Sequence, residues 1–145
     1  MTELLETYIE NREMVQPHHA NTVGNTHGGN VMKFMDEVGA MASMRFAGET
    51  CVTARVEGID FEQPIHVGDT AFLTAYVYDA GRTSVNVRVT VYREDIRTGE
   101  RELTTDSRFI YVAIDDDGKP TPVPELTVGS DRGEELREAA LSAGT

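Results

Sequence analysis

Asn21-Thr22-Val23-Gly24-Asn25-Thr26-His27-Gly28-Gly29-Asn30-Val31-Met32-Lys33-Phe34-Met35-Asp36-Glu37 decides how this chain is read. A polar, glycine-containing loop runs directly into an amphipathic helix. From Val31 onward, Phe34, Met35, Val38, Met41, Ala42 and Met44 recur at three- and four-residue intervals and make one apolar stripe. Phe46-Ala47-Gly48 ends the helix. Gly39, Ala40 and Ser43 are small, so they let another element, a second helix included, approach closely.

Downstream the period changes to two. Cys51 to Phe61, Thr70 to Tyr78, Ser84 to Tyr92 and Leu103 to Ile114 read as strands, separated by turns at Pro64 to Asp69, Asp79 to Arg82 and Arg97 to Glu100. In the third of these, Val85, Val87, Val89 and Val91 point one way, and Asn86, Arg88 and Thr90 the other. Thr7 to Val15 is expected to be an opening strand, and Pro17 to Thr26 a loop. An antiparallel sheet must cover its apolar face, and the one long helix is the only candidate. The expected class is therefore α+β: a central helix wrapped by a curved antiparallel sheet of about five strands. Residues 1–126 form that single domain. Residues 127–145 are a polar, acidic tail with a short helix near Glu134 to Leu141.

The 145 residues carry a net charge of −12, which disfavours a nucleic-acid partner. Lys33 and Lys119 are the only lysines. A lysine-poor, acid-rich surface suits a salt-rich cytoplasm, where self-repulsion is screened. Cys51 is the sole cysteine, so no internal disulfide and no cysteine zinc site can form. His18, His19, His27 and His66 lack metal-ligand spacing. No apolar run approaches the ~18 residues of a membrane span, and the acidic N-terminus does not read as a signal peptide. A cytoplasmic protein is expected.

The chemistry suggested by the opening stretch is acyl transfer or hydrolysis. Backbone N–H groups of Gly28 and Gly29, at the positive end of a helix, can hold an oxyanion. Asp36 can serve as base or nucleophile. At about 1.5 Å per residue, the two lie about 12 Å apart along the helix. One carbonyl cannot reach both, so the stretch reads as two half-sites, completed by a two-fold dimer of antiparallel helices. Glu37 points about 100° away from Asp36 and is structural. Asn21 can hold a water through its amide. Asn25 reads as a turn residue.

The loop and the element plan resemble the hotdog-fold acyl-CoA thioesterases, most closely the brain-type cytosolic acyl-CoA hydrolases. The resemblance runs from about Glu6 to Leu126. It is carried by Asn21-x-x-Gly24-Asn25-x-His27-Gly28-Gly29, by Met32-Lys33-x-Met35-Asp36-Glu37-x-Gly39-Ala40, by Cys51-Val52-Thr53-Ala54-x-Val56 with Ile59-x-Phe61, and by Pro64-Ile65-x-Val67-Gly68-Asp69. Arg82-Thr83-Ser84-Val85 and the ending Tyr111-Val112-Ala113 with Gly118-Lys119-Pro120 continue it. It implies that Asp36 is the catalytic acid and Asn21 its helper at the hydrolytic water. It also implies that the turn of Arg82, Thr83 and Ser84 lies near the nucleotide; His27, read from its place at the helix start, is a second-rank candidate that bonds either the acyl carbonyl or the loop. It further implies dimers with edge-joined sheets, often built into hexamers, and no cofactor, since coenzyme A belongs to substrate and product. The rival readings are an acyl-CoA sensor domain and a hotdog enoyl-CoA hydratase. The sensor lacks a DNA-binding module here, and the hydratase lacks its proline-rich approach to the helix.

Overall fold

The computed structural model describes residues 2–142. Helix α1 spans Gly28–Ala47. It ends where Gly48 adopts φ 69°, a left-handed cap whose N–H bonds the Met44 carbonyl. Around it runs one antiparallel sheet. Its strands are β2 (Ile9–Met14), β3 (Thr50–Val56), β4 (Thr70–Ala80), β5 (Ser84–Glu94) and β6 (Arg101–Ile114), in the order β2-β4-β5-β6-β3. A two-residue strand, β1 (Thr2–Glu3), pairs in parallel with β7 (Leu126–Thr127).

Period-two patterning explains the core. Val85, Val87, Val89 and Val91 are fully buried and face Val31, Met35, Val38 and Ala42 of α1, with Leu73, Ala75, Val77, Phe109 and Tyr111 from the neighbouring strands. The helix stripe is narrower than its sequence suggests. Met41 and Met44 are exposed, because the sheet reaches only the face that carries Phe34, Val38 and Phe46. Gly39 and Ser43 are buried within their own chain. A Cβ on Gly39 would collide with the Tyr111 hydroxyl and meet Val89 at 3.2 Å. The small residues therefore admit a strand side chain, and the close helix-to-helix contact expected through Gly39 and Ser43 is ruled out by what already fills that space.

Two further boundaries differ from the pattern reading. The expected strand to Phe61 stops at Val56. Ala54 is an extra residue in the β3–β6 ladder, and beyond Val56 the chain follows β6 through irregular bonds, Glu57 N–H to the Arg108 carbonyl (3.0 Å) and Glu62 N–H to the Thr104 carbonyl (2.8 Å). At the other end, the opening strand begins at Ile9 after a tight 3-10 turn over Leu4–Thr7.

The outer face of the sheet is also covered. Helix α2 (Asp131–Ser142) lies over it, with Ala140 fully buried beside Leu4, Tyr76 and Tyr78. The Tyr76 hydroxyl donates to the Leu136 carbonyl (2.6 Å), and Arg108 Nη1 donates to the Ala140 carbonyl (3.0 Å). Further along this face, Glu94 is 2 % exposed and accepts from Arg12 Nε (2.8 Å) and Arg101 Nε (2.6 Å). Both guanidiniums lie over the Phe72 ring, at 4.5 and 3.8 Å from its centre.

The hydrogen bonds from Arg12 and Arg101 hold the Glu94 carboxyl below its ordinary value of 4.5. The charged form is thus favoured by folding. Its stabilisation is complete above about pH 4.5 and is lost as pH falls through the depressed native value. Replacing Glu94 by Gln is expected to cost about 1–2 kcal/mol at pH 7, toward the lower end because both arginines are half exposed. Urea unfolding of both proteins should show this gap at neutral pH and a smaller one in acid; a gap independent of pH would contradict the assignment.

Candidate active site

The loop before α1 is held by its own polar groups. Asn21 Oδ1 accepts from Val23 N–H (3.0 Å) and Asn25 N–H (3.2 Å), and Asn21 N–H reaches the Asn25 carbonyl (2.7 Å). Gly24 turns with φ 82°. The His19 carbonyl accepts from His27 N–H (2.9 Å) and Asn30 Nδ2 (3.0 Å). Thr26 N–H to the Ile65 carbonyl (2.8 Å) and Val67 N–H to the Gly24 carbonyl (3.1 Å) stitch the loop to residues 65–67. Asn21 is thus a loop-builder through its oxygen, while its amide nitrogen has no acceptor among the described residues.

At the helix start, His27 is the N-cap residue but its side chain caps nothing. The first N–H groups bonded within the helix belong to Asn30 and Val31, both to the His27 carbonyl. Those of Gly28 and Gly29 have no acceptor among the described residues, and both residues are exposed. Neither has a positive φ, so the turn itself does not require glycine. A side chain on Gly29 would meet nothing within 4 Å. What two glycines provide here is bare backbone with open donors, the arrangement that receives an anion. Gly28, Asn21, Asn25, Thr26, Phe61 and Thr104 help line a cavity of about 290 Å³.

Asp36 lies on the other side of the same problem. It is part-buried, and its Oδ1 accepts from the Thr53 hydroxyl (2.6 Å) and the Tyr111 hydroxyl (3.0 Å), which also bonds the Asp36 carbonyl (3.0 Å). Strand register brings these donors together: Thr53 is opposite Tyr111, and Tyr111 opposite Val85. Burial and the Asp36 carboxylate hold the Tyr111 phenol well above its ordinary value, so it stays a donor. Two hydroxyls fix one carboxylate oxygen and leave Oδ2 with no partner among the described residues.

Within one chain, these groups form two clusters. Asn21 and Gly28 line one cavity with Thr104, whereas Asp36, Thr53 and Tyr111 are bonded to one another where the Tyr111 hydroxyl meets Gly39. Gly28 and Asp36 are separated by about 12 Å along α1 at about 1.5 Å per residue. The Arg82 turn belongs with the second cluster, since Ser84 pairs with Val112. Thr83 and Arg82 carbonyls bind Ala113 and Val123 N–H groups, and the exposed Arg82 guanidinium has no ion pair among the described residues. Thr53 and Tyr111 were not singled out by sequence reasoning. Both stand inside quoted motifs, but a threonine and a tyrosine in strands read as ordinary β-formers until register places them against an acid.

A helix wrapped by a curved five-stranded antiparallel sheet is the hotdog architecture. The sequence pattern of the thioesterase superfamily matches residues 23–100, and the chain belongs to that family of thioester hydrolases. It is 37% identical over 116 residues to the acyl-CoA thioester hydrolase YciA of Salmonella typhimurium, covering 78% of this chain and 87% of that one. It is 38% identical over 107 residues to the human cytosolic acyl coenzyme A thioester hydrolase, covering 70% of this chain and 28% of that protein. Among solved structures, an acyl-CoA hydrolase from Staphylococcus aureus in complex with butyryl coenzyme A superimposes with a TM-score of 0.88 at 30% identity, covering 97% and 86% of the two chains. An apo-hexameric acyl-CoA thioesterase gives 0.88 at 34%, covering 99% and 92%. The Staphylococcus enzyme has also been crystallised with one asparagine, one aspartate or one threonine replaced by alanine. Those three residues follow each other at intervals of 15 and 17, the intervals that separate Asn21, Asp36 and Thr53.

Two substitutions test the carboxylate's surroundings. Tyr111→Phe is expected to lower stability by about 1 kcal/mol and thioester hydrolysis by about tenfold. Gly39→Ala forces the same hydroxyl away and should cost about 1–3 kcal/mol through overpacking. Free-thiol release and thermal melts of both variants measure this; an unchanged rate in Tyr111→Phe would remove that residue from the site.

Proposed function

We propose that this protein hydrolyses fatty acyl-CoA to free fatty acid and coenzyme A at sites shared between two copies of the chain. The observation that carries this reading is the Asp36 carboxylate, held by Thr53 and Tyr111 with one oxygen left open, on the same helix as the unpaired Gly28 and Gly29 N–H donors but a long way from them. In the partner arrangement, Asp36 of one chain faces Gly28 and Gly29 of the other. The two glycine N–H groups receive the developing oxyanion; one such donor contributes roughly 10²–10³ in rate. Asn21 presents its amide to the water, Asp36 takes a proton from it as the water oxygen bonds to the acyl carbon, and the carbon–sulfur bond then breaks, the thiolate of coenzyme A leaving with the proton that Asp36 returns. The exposed Arg82 guanidinium, with the Thr83 and Ser84 hydroxyls, supplies the local positive charge that phosphates require on a protein of net charge −12. His27, at the helix start, borders the acyl carbonyl.

The edge of the sheet supports the pairing. Among the described residues strand β3 bonds only β6, and its other edge exposes Val52 and Val56 at 44 and 37 %, with Met41 and Met44 of α1 exposed as well. An open apolar strand edge is a template for a second copy. The hexameric relative supports assembly of such dimers into a hexamer. The acidic, lysine-poor surface supports a salt-rich cytoplasm as the working medium, where the human relative is also cytosolic by name. No helix among the described residues is long and apolar enough to cross a membrane.

Asp36→Asn is expected to reduce acyl-CoA hydrolysis by about 10²-fold or more. Mixing Asp36→Asn chains with Asn21→Ala chains after dissociation tests the sharing. Half of the randomly paired dimers are mixed, each with one intact site, so about a quarter of native activity should return. Two inactive parents whose mixture stays inactive would sink the shared site while leaving the reaction itself open.

A further inference from the structure

The loop that leads into α1 is anchored by a histidine ring. Pro17–His19 forms a short 3-10 turn after Gln16. The Gln16 N–H donates to His19 Nδ1 at 2.9 Å, and the Gln16 side chain accepts from the His19 backbone N–H. This reciprocal pair is a capping box, in which the third residue must offer an acceptor. Glutamate or glutamine ordinarily supplies it. Here an imidazole does, and an imidazole gives up that lone pair to a proton near neutral pH. The His19 ring also stands edge-on to the ring of Phe34 in α1, centres 5.2 Å apart at 85°, and Phe34 is buried in the core. The turn fixes the ring from one side and the helix from the other.

What this residue holds is the start of α1. Its carbonyl accepts from His27 N–H (2.9 Å), Asn30 Nδ2 (3.0 Å) and the Thr26 hydroxyl (3.3 Å). These donors flank Gly28 and Gly29 on both sides. Ala20, the next residue, bridges Thr26, and Asn21 follows it. One peptide group thus carries the placement of the open glycine N–H groups and of Asn21. A displacement of about 1 Å in such groups can cost up to about 10² in rate.

We propose that His19 is a positioning residue for the hydrolysis: its neutral imidazole holds residues 26–30 in place at the start of α1, and a proton on Nδ1 releases them, turning the activity down in mild acid. This rests on the reading of Gly28 and Gly29 as oxyanion donors. A protonated Nδ1 sets a donor against the Gln16 N–H, which breaks the capping bond. The surroundings set the direction. Burial weighs most; His18, whose ring centre is 4.0 Å away, and Lys33 of α1 act in the same sense, and Glu13 of β2 opposes them. Together they hold His19 below the ordinary histidine value of 6.5. The folded protein therefore favours the neutral ring. The ring's contribution is complete above about pH 6.5 and is lost as pH falls through the lower native value.

The test is the pH profile of kcat/KM for acyl-CoA hydrolysis by the intact oligomer, native and His19→Gln. Glutamine keeps an acceptor for the Gln16 N–H and does not titrate. The native value is expected to fall about tenfold between about pH 7.5 and about pH 5, with its midpoint below 6.5. His19→Gln should lose most of that fall, while His19→Ala, without an acceptor, should show the low value at both ends. Asp36, His18, His27 and His66 are common to all three proteins and drop out of the comparison. Superimposable native and His19→Gln profiles overturn the proposal. Backbone amide spectra of the native oligomer across the same pH range need neither turnover nor a variant. Gln16, His27, Gly28 and Gly29 should shift together as the His19 ring titrates. That common transition upholds the hold of the ring on the loop even if no thioester is hydrolysed, and its absence refutes it even if hydrolysis proceeds.

Discussion

The seat of the Tyr111 hydroxyl against Gly39 fixes the rest of the molecule. It sets the separation between α1 and the sheet, because any side chain at position 39 would occupy the space of that oxygen. It sets the helix rotation, because the same hydroxyl bonds the carbonyl and the carboxylate of Asp36 one turn earlier. It also sets the register of β3, whose Thr53 must lie opposite Tyr111 to reach the same carboxylate oxygen. A packing contact, a helix rotation and a strand register thus converge on one acid. The phenol is buried and stays protonated, so the carboxylate is oriented by neutral donors without a neighbouring cation to quench it.

That seat also explains where the chain can be joined to another. The inner face is filled by α1, and the outer face by α2 and by the Phe72 ring under Arg12 and Arg101. Arginine recurs on this outer face because its planar cation can lie over an aromatic ring while bonding a carboxylate, as at Glu94, which a lysine does less well. With both faces closed, β3 is left with a free edge and exposed valines. The separation of the glycine donors from Asp36 and the exposed edge of β3 are independent features, one from the helix and one from the sheet, and the proposed pairing of two chains uses both.

The helix and the strand series were legible in the sequence because their periodicities are long and uniform: the valines of β5 alternate through four turns of the pattern, and the α1 stripe holds from Val31 to Ala42. The candidate residues Asn21, Gly28, Gly29 and Asp36 were legible because a polar loop, two glycines and an acid on an apolar helix face are rare together. What escaped was whatever depends on register or irregularity. Thr53 and Tyr111 acquire meaning only when β3 and β6 pair, and no local pattern specifies that pairing. Gly39 reads equally well as a helix-contact residue, and only the tertiary structure shows a tyrosine in its place. The end of β3 was overrun because Ile59 and Phe61 continue the alternation past a bulge at Ala54.

Irregularity is also what separates the pocket from the scaffold. The regular parts of β3, β5 and β6 build the Asp36 cluster, where each side chain is placed by strict alternation. The cavity at Gly28 is built from the exceptions: the loop around Gly24, the irregular run after Val56, and the bulge at Thr104. Alternation can deliver one side chain in two to a face, and it cannot place Thr104 and Thr105 on the same side without an inserted residue. The geometry of the carboxylate is therefore tied to the fold itself, while the lining of the pocket can change through a bulge or a loop without disturbing it. On that division, the Asp36 cluster is positioned by α1 and the regular sheet, and the cavity lining by the few residues where the sheet departs from its own pattern.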